Sequence, residues 1–81
     1  MIDNKLLTLL SVAENKTYTA AAKALNLTQP AISQHIHLLE QEYGIRIFVR
    51  VGNEAVPTDD GAILSKYARR IQSLYSDMER K

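Results

Sequence analysis

The stretch Thr28–Glu40, TQPAISQHIHLLE, has the pattern of a helix with two different faces. One face is apolar and repeats at helical spacing, as a face that packs in a core does; its residues are Ile32, Ile36 and Leu39. The other face carries neutral side chains that can form hydrogen bonds; its residues are Gln29, Ser33 and His37. Such a neutral polar face indicates either a solvated surface or a surface that contacts a polar partner.

The ends of this helix are marked in the sequence. Thr28 is suited to an N-cap, because its hydroxyl can accept a backbone N–H of the first turn. Pro30 falls in that first turn, where its missing N–H costs no hydrogen bond. Gly44 suits the left-handed residue that ends a helix, so the helix is predicted to stop at Tyr43.

Two further helices are predicted before this one. The first runs from Asp3 to about Glu14, with Asp3 or Asn4 as N-cap, and its apolar face consists of Leu6, Leu9, Leu10 and Ala13. The second runs from about Thr19 to Leu25, with Thr17 or Tyr18 at its start. Because the turn Asn26–Thr28 between the second and third helices is very short, the two form a helix-turn-helix unit.

A two-stranded ribbon is predicted after the helix-turn-helix. Ile45–Arg50 alternates, with Ile45, Ile47 and Val49 on one side and Arg46, Phe48 and Arg50 on the other. Gly52 and Asn53 signal a turn, and Ala55–Pro57 is a short return strand, in which the proline requires an edge or end position. A ribbon in this place is a wing.

The last helix is predicted to begin after Thr58, its N-cap, with Asp59 and Asp60 at the positive end of the helix dipole. Its apolar residues step by three and four positions and form a seam; they are Leu64, Tyr67, Ile71, Leu74 and Met78. A seam this regular exceeds what so small a domain can cover. The helix therefore requires a partner.

Composition excludes several classes of function. The 81 residues include no cysteine, so disulfides and thiolate metal sites are excluded. No apolar run is long enough to span a membrane, and we expect a cytoplasmic protein. The net charge of +1 gives no electrostatic indication of nucleic acid. Any indication of nucleic-acid binding must therefore come from the arrangement of residues along the predicted helices and wing.

No enzyme, metal or cofactor is expected. His35 and His37 are two residues apart on a helix and point in nearly opposite directions, so they cannot share a metal ion. Asp59 and Asp60 are explained by the helix dipole, and no serine has the surroundings of a nucleophile.

DNA binding accounts best for the neutral face. A helix fits the major groove, where glutamine can bond adenine with both ends of its amide. Residues 28–39 contain no acidic side chain that would repel phosphate, and Arg46 and Arg50 on the wing can approach the minor groove or its phosphates. The alternative is a winged helix that contacts protein and binds no specific DNA sequence.

Several motifs in register resemble the N-terminal winged helix-turn-helix of the LysR-type transcriptional regulators. They are TYTAAA (17–22), TQPAIS (28–33), LEQEYG (39–44), IFVR (47–50) and PTDDG (57–61). In the family these correspond to Ser/Thr-Phe-Thr-x-Ala-Ala, Ser/Thr-Gln-Pro-Ala-Leu/Ile-Ser, Leu-Glu-x-x-Leu-Gly, Leu-Phe-x-Arg and Leu-Thr-x-x-Gly. The match is ungapped and covers essentially the whole chain.

The resemblance implies roles for individual residues. It assigns DNA contacts to Thr19, Thr28, Gln29, Pro30, Ser33, Gln34 and Arg50. His37, which lies on the same helix face as Gln29 and Ser33, and Asn53 in the wing complete the predicted DNA-binding set of nine residues. Gln29 and Pro30 would face base edges, and Arg50 would enter from the wing. The expected core residues are Ala21, Ala22, Leu25, Ile32, Ile36, Leu39 and Phe48.

Three departures from the family pattern weaken the expected phosphate contacts. Asn53 and Glu54 stand where family wings are commonly basic, Pro57 replaces the usual leucine, and Gln34 stands where arginine is frequent. The salt dependence of DNA affinity should therefore be shallower than that of a strongly basic relative.

Taken together, the sequence predicts a mainly α fold: a winged helix-turn-helix with a three-helix core and a two-stranded wing, followed by a long dimerisation helix. Residues 1–58 would bind double-stranded DNA and residues 59–81 would form the linker helix of a homodimer, which could become a tetramer in a full-length protein. The resemblance to the LysR-type regulators further implies a C-terminal domain, outside this chain, that would bind a small-molecule effector.

Overall fold

The structure is a computed structural model that describes residues 3–80, so the outer ends of the predicted domains, at residues 1–2 and 81, lie outside the described residues. The elements in chain order are α1 (Asn4–Asn15), α2 (Tyr18–Leu25), α3 (Gln29–Tyr43), β1 (Phe48–Val51), β2 (Glu54–Pro57) and α4 (Asp59–Glu79). This order confirms the predicted fold class.

Each helix begins at a side chain that accepts a backbone N–H, and these N-caps are Asp3, Thr17, Thr28 and Thr58. The predicted start of α2 at about Thr19 was one residue too late, because the helix begins at Tyr18. Of the two residues predicted at its start, Thr17 is the N-cap, and its hydroxyl accepts the Ala20 N–H at 3.0 Å. The prediction for α3 is confirmed at both ends, and Gly44 ends it with φ of 65°.

The core lies where α1, α2 and α3 meet. Its largest fully buried apolar side chains are Leu9, Ile32, Leu39, Ile47 and Val12. The predicted core residues Ala21, Ala22, Ile32, Ile36, Leu39 and Phe48 are all buried, whereas Leu25 is only partly buried against them. The predicted apolar face of α1 left out Val12, which has no exposed surface.

The predicted strand Ile45–Arg50 is wrong in its first half. β1 begins at Phe48, which pairs with Pro57 in an antiparallel ribbon, so the proline lies at the strand end as predicted. The predicted alternation fails too, because Ile47 and Phe48 are both buried while Val49 is exposed.

The backbone of Ile47 explains this difference, because its hydrogen bonds go to groups outside the ribbon. Its N–H donates to the Glu40 carboxylate at 2.9 Å, and its carbonyl accepts the Thr58 N–H, also at 2.9 Å. The segment before the wing is therefore fixed between the end of α3 and the start of α4.

The buried residues of helix α4 lie in its first half. Gly61, Ser65 and Ala68 are buried, and Leu64 packs partly against the core. Within residues 3–80, no helix is both long and apolar enough to cross a membrane.

Candidate nucleic-acid interface

A polar cleft lies between the starts of α2 and α3 and the wing. It has a volume of about 310 Å³ and is lined by Thr17, Tyr18, Thr19, Gln29, Arg50, Asn53 and Ala55. Four of the nine predicted DNA-binding residues therefore meet in one place: Thr19, Gln29, Arg50 and Asn53.

The remaining predicted residues do not line the cleft. Ser33 and His37 continue from Gln29 along α3 at steps of four residues, and they share its face because a helix repeats every 3.6 residues. All nine predicted residues are exposed. The neutral face of α3 is thus open to a partner along its length.

Thr28 has a structural task at the start of α3. Its hydroxyl oxygen accepts the Ala31 N–H at 3.2 Å and so satisfies one of the free donors of the first turn. Among residues 3–80 the Thr28 hydroxyl donates to no other group, so its proton is available to a bound partner.

The wing is fixed relative to the helices by a backbone hydrogen bond. The Ala55 N–H donates to the carbonyl of Lys16 at 2.7 Å, and Lys16 ends α1 in the left-handed conformation with φ of 71°. This bond holds β2 against the end of α1, so that the neighbouring strand brings Arg50 to the cleft.

The positive charges of the wing region differ in their surroundings. Arg46 has its Nε 4.0 Å from the Glu40 carboxylate. The Arg50 guanidinium lies over the Tyr18 ring, 5.1 Å from its centroid. Burial raises the pKa of Tyr18, and the Glu40 carboxylate raises it further, while Arg50 and Arg46 oppose the shift. Tyr18 is therefore a neutral phenol near neutral pH.

His35 is not part of the open face. Its Nδ1 is 2.7 Å from the Thr8 hydroxyl, and Thr8 is buried on α1, so the ring connects α3 to the core. Within residues 3–80, no three His, Cys, Asp or Glu side chains are placed to hold a metal ion.

The predicted dimerisation seam is exposed except at its beginning. Tyr67, Ile71, Leu74 and Met78 are between 47% and 68% exposed. Leu64 instead faces the core, while Ile63, 55% exposed, extends the exposed stripe by one more turn. Ile63 was missed because only the packing of α4 on α1 shows which face of the helix is outside.

Comparison with known proteins agrees with this arrangement. Residues 4–62 match the family described as bacterial regulatory helix-turn-helix protein, lysR family. The chain belongs to the lysR family. This confirms the family resemblance found in the sequence motifs, and the family is one of regulators, not enzymes.

Two curated relatives illustrate the relationship. An uncharacterised HTH-type transcriptional regulator, YxjO of Bacillus subtilis (strain 168), is 38% identical over 76 residues, which are 94% of this chain and 26% of the relative. The RuBisCO operon transcriptional regulator of Allochromatium vinosum is 39% identical over 69 residues, which are 85% of this chain and 23% of the relative. The lysR-family chain thus spans about a quarter of the length of these relatives.

Two solved structures share the fold. The DNA-binding domain of CbnR in a complex with DNA superposes with a TM-score of 0.89 at 30% identity, covering 95% of this chain and 88% of that one. The DNA-binding domain of BenM in a complex with benA site 1 DNA superposes with a TM-score of 0.90 at 30% identity, covering 95% of this chain and 90% of that one.

Proposed function

We propose that this lysR-family chain is the sequence-specific DNA-binding part of a transcription regulator that reads an inverted repeat as a dimer. The observation that carries the proposal is that Gln29, in the first turn of α3, lines the same cleft as Arg50 of the wing. A base-reading group and a phosphate-binding group are thereby held on one side of the molecule. The DNA complexes of CbnR and BenM support this reading over the protein-interaction alternative.

In this arrangement α3 lies in the major groove with its N-terminal turns against the base edges. Gln29 can donate to and accept from an adenine, and Pro30 adds an apolar contact beside it. Further along the helix, Ser33, Gln34 and His37 donate to bases or phosphates. The free N–H groups at the start of α3 favour a phosphate nearby.

The wing and the start of α2 complete the site. Arg50 and Asn53 approach the minor groove or its phosphates from the wing, while Thr19 and Thr28 donate to the DNA backbone at the helix starts. We therefore propose two domains: residues 1–58 bind DNA, and residues 59–81 form the dimer. The exposed stripe of α4 would pair with the same stripe of a second copy.

The remaining parts of the proposal concern the whole regulator. We propose that it acts in the cytoplasm, where it would meet DNA directly. A C-terminal domain would bind a small-molecule effector and could bring two dimers together as a tetramer.

Selection of bound duplexes from a random pool tests the proposed function. We expect an enriched palindromic motif for the unchanged protein. Gln29→Ala should weaken binding to the enriched duplex by about 1–3 kcal/mol and relax the preference at one position in each half-site. Gln72→Ala is the matched control, because Gln72 is an exposed glutamine on α4, outside the proposed DNA-binding surface. Absence of any enriched motif at low salt would contradict the proposal.

A further inference from the structure

The Arg50 guanidinium lies over the Tyr18 ring in the lining of the cleft, although 31 residues separate the two in the chain. The guanidinium carbon of Arg50 is 5.1 Å from the centre of the Tyr18 ring. That distance is within the range of a cation–π contact. Both residues line the cleft that also holds Gln29.

The Tyr18 ring is a fixed platform. It is partly buried against the hydrophobic core and contacts Phe48 edge to face, with ring centroids 6.4 Å apart and planes at 78°. Because Phe48 is itself buried, the ring has little freedom to turn. A side chain that stacks on this ring therefore takes its orientation from the core.

The charge of Arg50 is not neutralised by a carboxylate. Among residues 3–80, no Asp or Glu oxygen lies within 4.0 Å of its guanidinium, whereas Arg46 has the Glu40 carboxylate. A guanidinium carries five N–H donors, and a ring on one side of it leaves the donors on the other sides free. The donors of Arg50 thus stay available to a phosphate.

We propose that Tyr18 is a positioning residue for DNA binding, which holds the guanidinium of Arg50 over the cleft before DNA arrives. The inference rests on the proposed function and adds to it a residue that need not touch the DNA. An arginine that is already oriented loses less side-chain entropy when it binds a phosphate, so its affinity for the phosphate is higher.

The expected effect is moderate and specific. From the usual strength of an exposed cation–π contact, loss of the ring should lower the affinity for each DNA half-site by about two- to fivefold. Tyr18→Leu removes the aromatic face while retaining an apolar side chain against Phe48. Tyr18→Phe keeps the ring face and should retain the affinity of the unchanged protein.

The first measurement uses the protein without DNA. In the NMR spectrum, the side-chain resonances of Arg50 should show the ring-current shift of a stacked aromatic, and this shift should disappear in Tyr18→Leu but persist in Tyr18→Phe. Tyr43→Leu, at an exposed tyrosine far along α3, is the matched control and should leave the Arg50 signals unchanged. An Arg50 signal that is the same with and without the Tyr18 ring would overturn the inference and leave the proposed function intact.

The second measurement is a double-mutant cycle on the enriched duplex. If Tyr18 acts through Arg50, then Tyr18→Leu should cost no further affinity once Arg50 is alanine. The two single variants should also lower the slope of log affinity against log salt by similar amounts, up to about one per half-site. Additive losses would show that Tyr18 acts independently of Arg50 and would contradict the inference. If no duplex binds even the unchanged protein, the proposed function fails as well, while the NMR result still decides whether the ring holds the arginine.

Discussion

The backbone of Gly61 in α4 lies directly against the carbonyl group of Ile47. A Cβ atom at position 61 would overlap that carbonyl oxygen and would be 2.9 Å from its carbon. The same carbonyl accepts the Thr58 N–H, and the Thr58 hydroxyl accepts the Gly61 N–H at 2.9 Å. The start of α4 is thereby fixed to the segment that enters the wing.

We predict that Gly61→Ala destabilises the fold by about 1–3 kcal/mol. Alanine would normally favour a helix by about 1 kcal/mol, but here the methyl group meets backbone that is held by other hydrogen bonds. Urea unfolding measures the change. Ala62→Gly is the control at the exposed neighbouring position and should cost only about 1 kcal/mol. If the Gly61→Ala protein were more stable than the unchanged protein, the backbone would be able to shift and relieve the contact between the added methyl group and the Ile47 carbonyl.

Ser65→Ala should stabilise the protein. Ser65 is 3% exposed, and its hydroxyl oxygen has no hydrogen-bond partner among the described residues. Removing an unsatisfied buried hydroxyl should contribute about 1 kcal/mol, and the better helix propensity of alanine about 0.5 kcal/mol more. Ser73→Ala, at an exposed position of α4, should give only the propensity gain. Equal effects at both positions would mean that the Ser65 hydroxyl is satisfied.

Ile71→Asp should give a folded monomer. Ile71 is 47% exposed in the middle of the stripe from Ile63 to Met78, so its replacement should leave the core intact and place a charge in the proposed interface. Sedimentation equilibrium reports the oligomeric state, and circular dichroism reports the fold. Ser73→Asp adds the same charge on another face of α4 and should remain dimeric. If Ile71→Asp is still a dimer, the interface lies elsewhere.

Glu54→Lys should strengthen DNA binding and make it more dependent on salt. Glu54 is exposed in the wing, next to Asn53 of the cleft. Replacing this carboxylate by an ammonium removes repulsion and adds a phosphate contact, which should increase the slope of log affinity against log salt by about one per half-site. Glu79→Lys is the control, because it changes the net charge by the same amount as Glu54→Lys but at the end of α4. Equal effects of the two variants would show that overall charge, rather than the wing, sets the affinity.

Ionisation of the Tyr18 phenol should make the fold less stable at high pH. Its pKa is raised in the folded protein, first by burial and then by the Glu40 carboxylate. The contribution of Tyr18 to stability is therefore complete below the unfolded pKa of 10.0 and is lost as pH rises through the higher folded value. Unfolding free energies of the unchanged protein and of Tyr18→Phe, measured between about pH 8 and about pH 11, should differ in slope only above the ordinary tyrosine pKa. Parallel curves would contradict the prediction.

Local chemistry in the sequence was enough to predict most helix boundaries. Thr28, Pro30 and Gly44 each favour one backbone position for a reason that involves only their near neighbours, and α3 begins and ends where they indicate. The periodic apolar positions gave most of the core in the same way, because a helix places residues three and four apart on one face. The family motifs, which are also local, identified the family correctly.

The wing could not be predicted as well from its own residues. The alternation in Ile45–Arg50 favoured a longer strand, but Ile47 is held by Glu40 and Thr58, which belong to α3 and to the start of α4 and lie 7 and 11 residues away. These hydrogen bonds depend on where α3 and the start of α4 lie relative to the segment between them, and the local pattern of residues does not give those positions.

The sequence by itself determined the family, the helical elements and the neutral face of α3, because each follows from side chains within a few residues of one another. Only the tertiary structure decided that the Arg50 guanidinium lies over the Tyr18 ring, that Ile63 rather than Leu64 begins the exposed stripe, and that Gly61 lies against Ile47. These features join residues from different elements, and the packing of the elements, rather than the spacing along the chain, sets their distances.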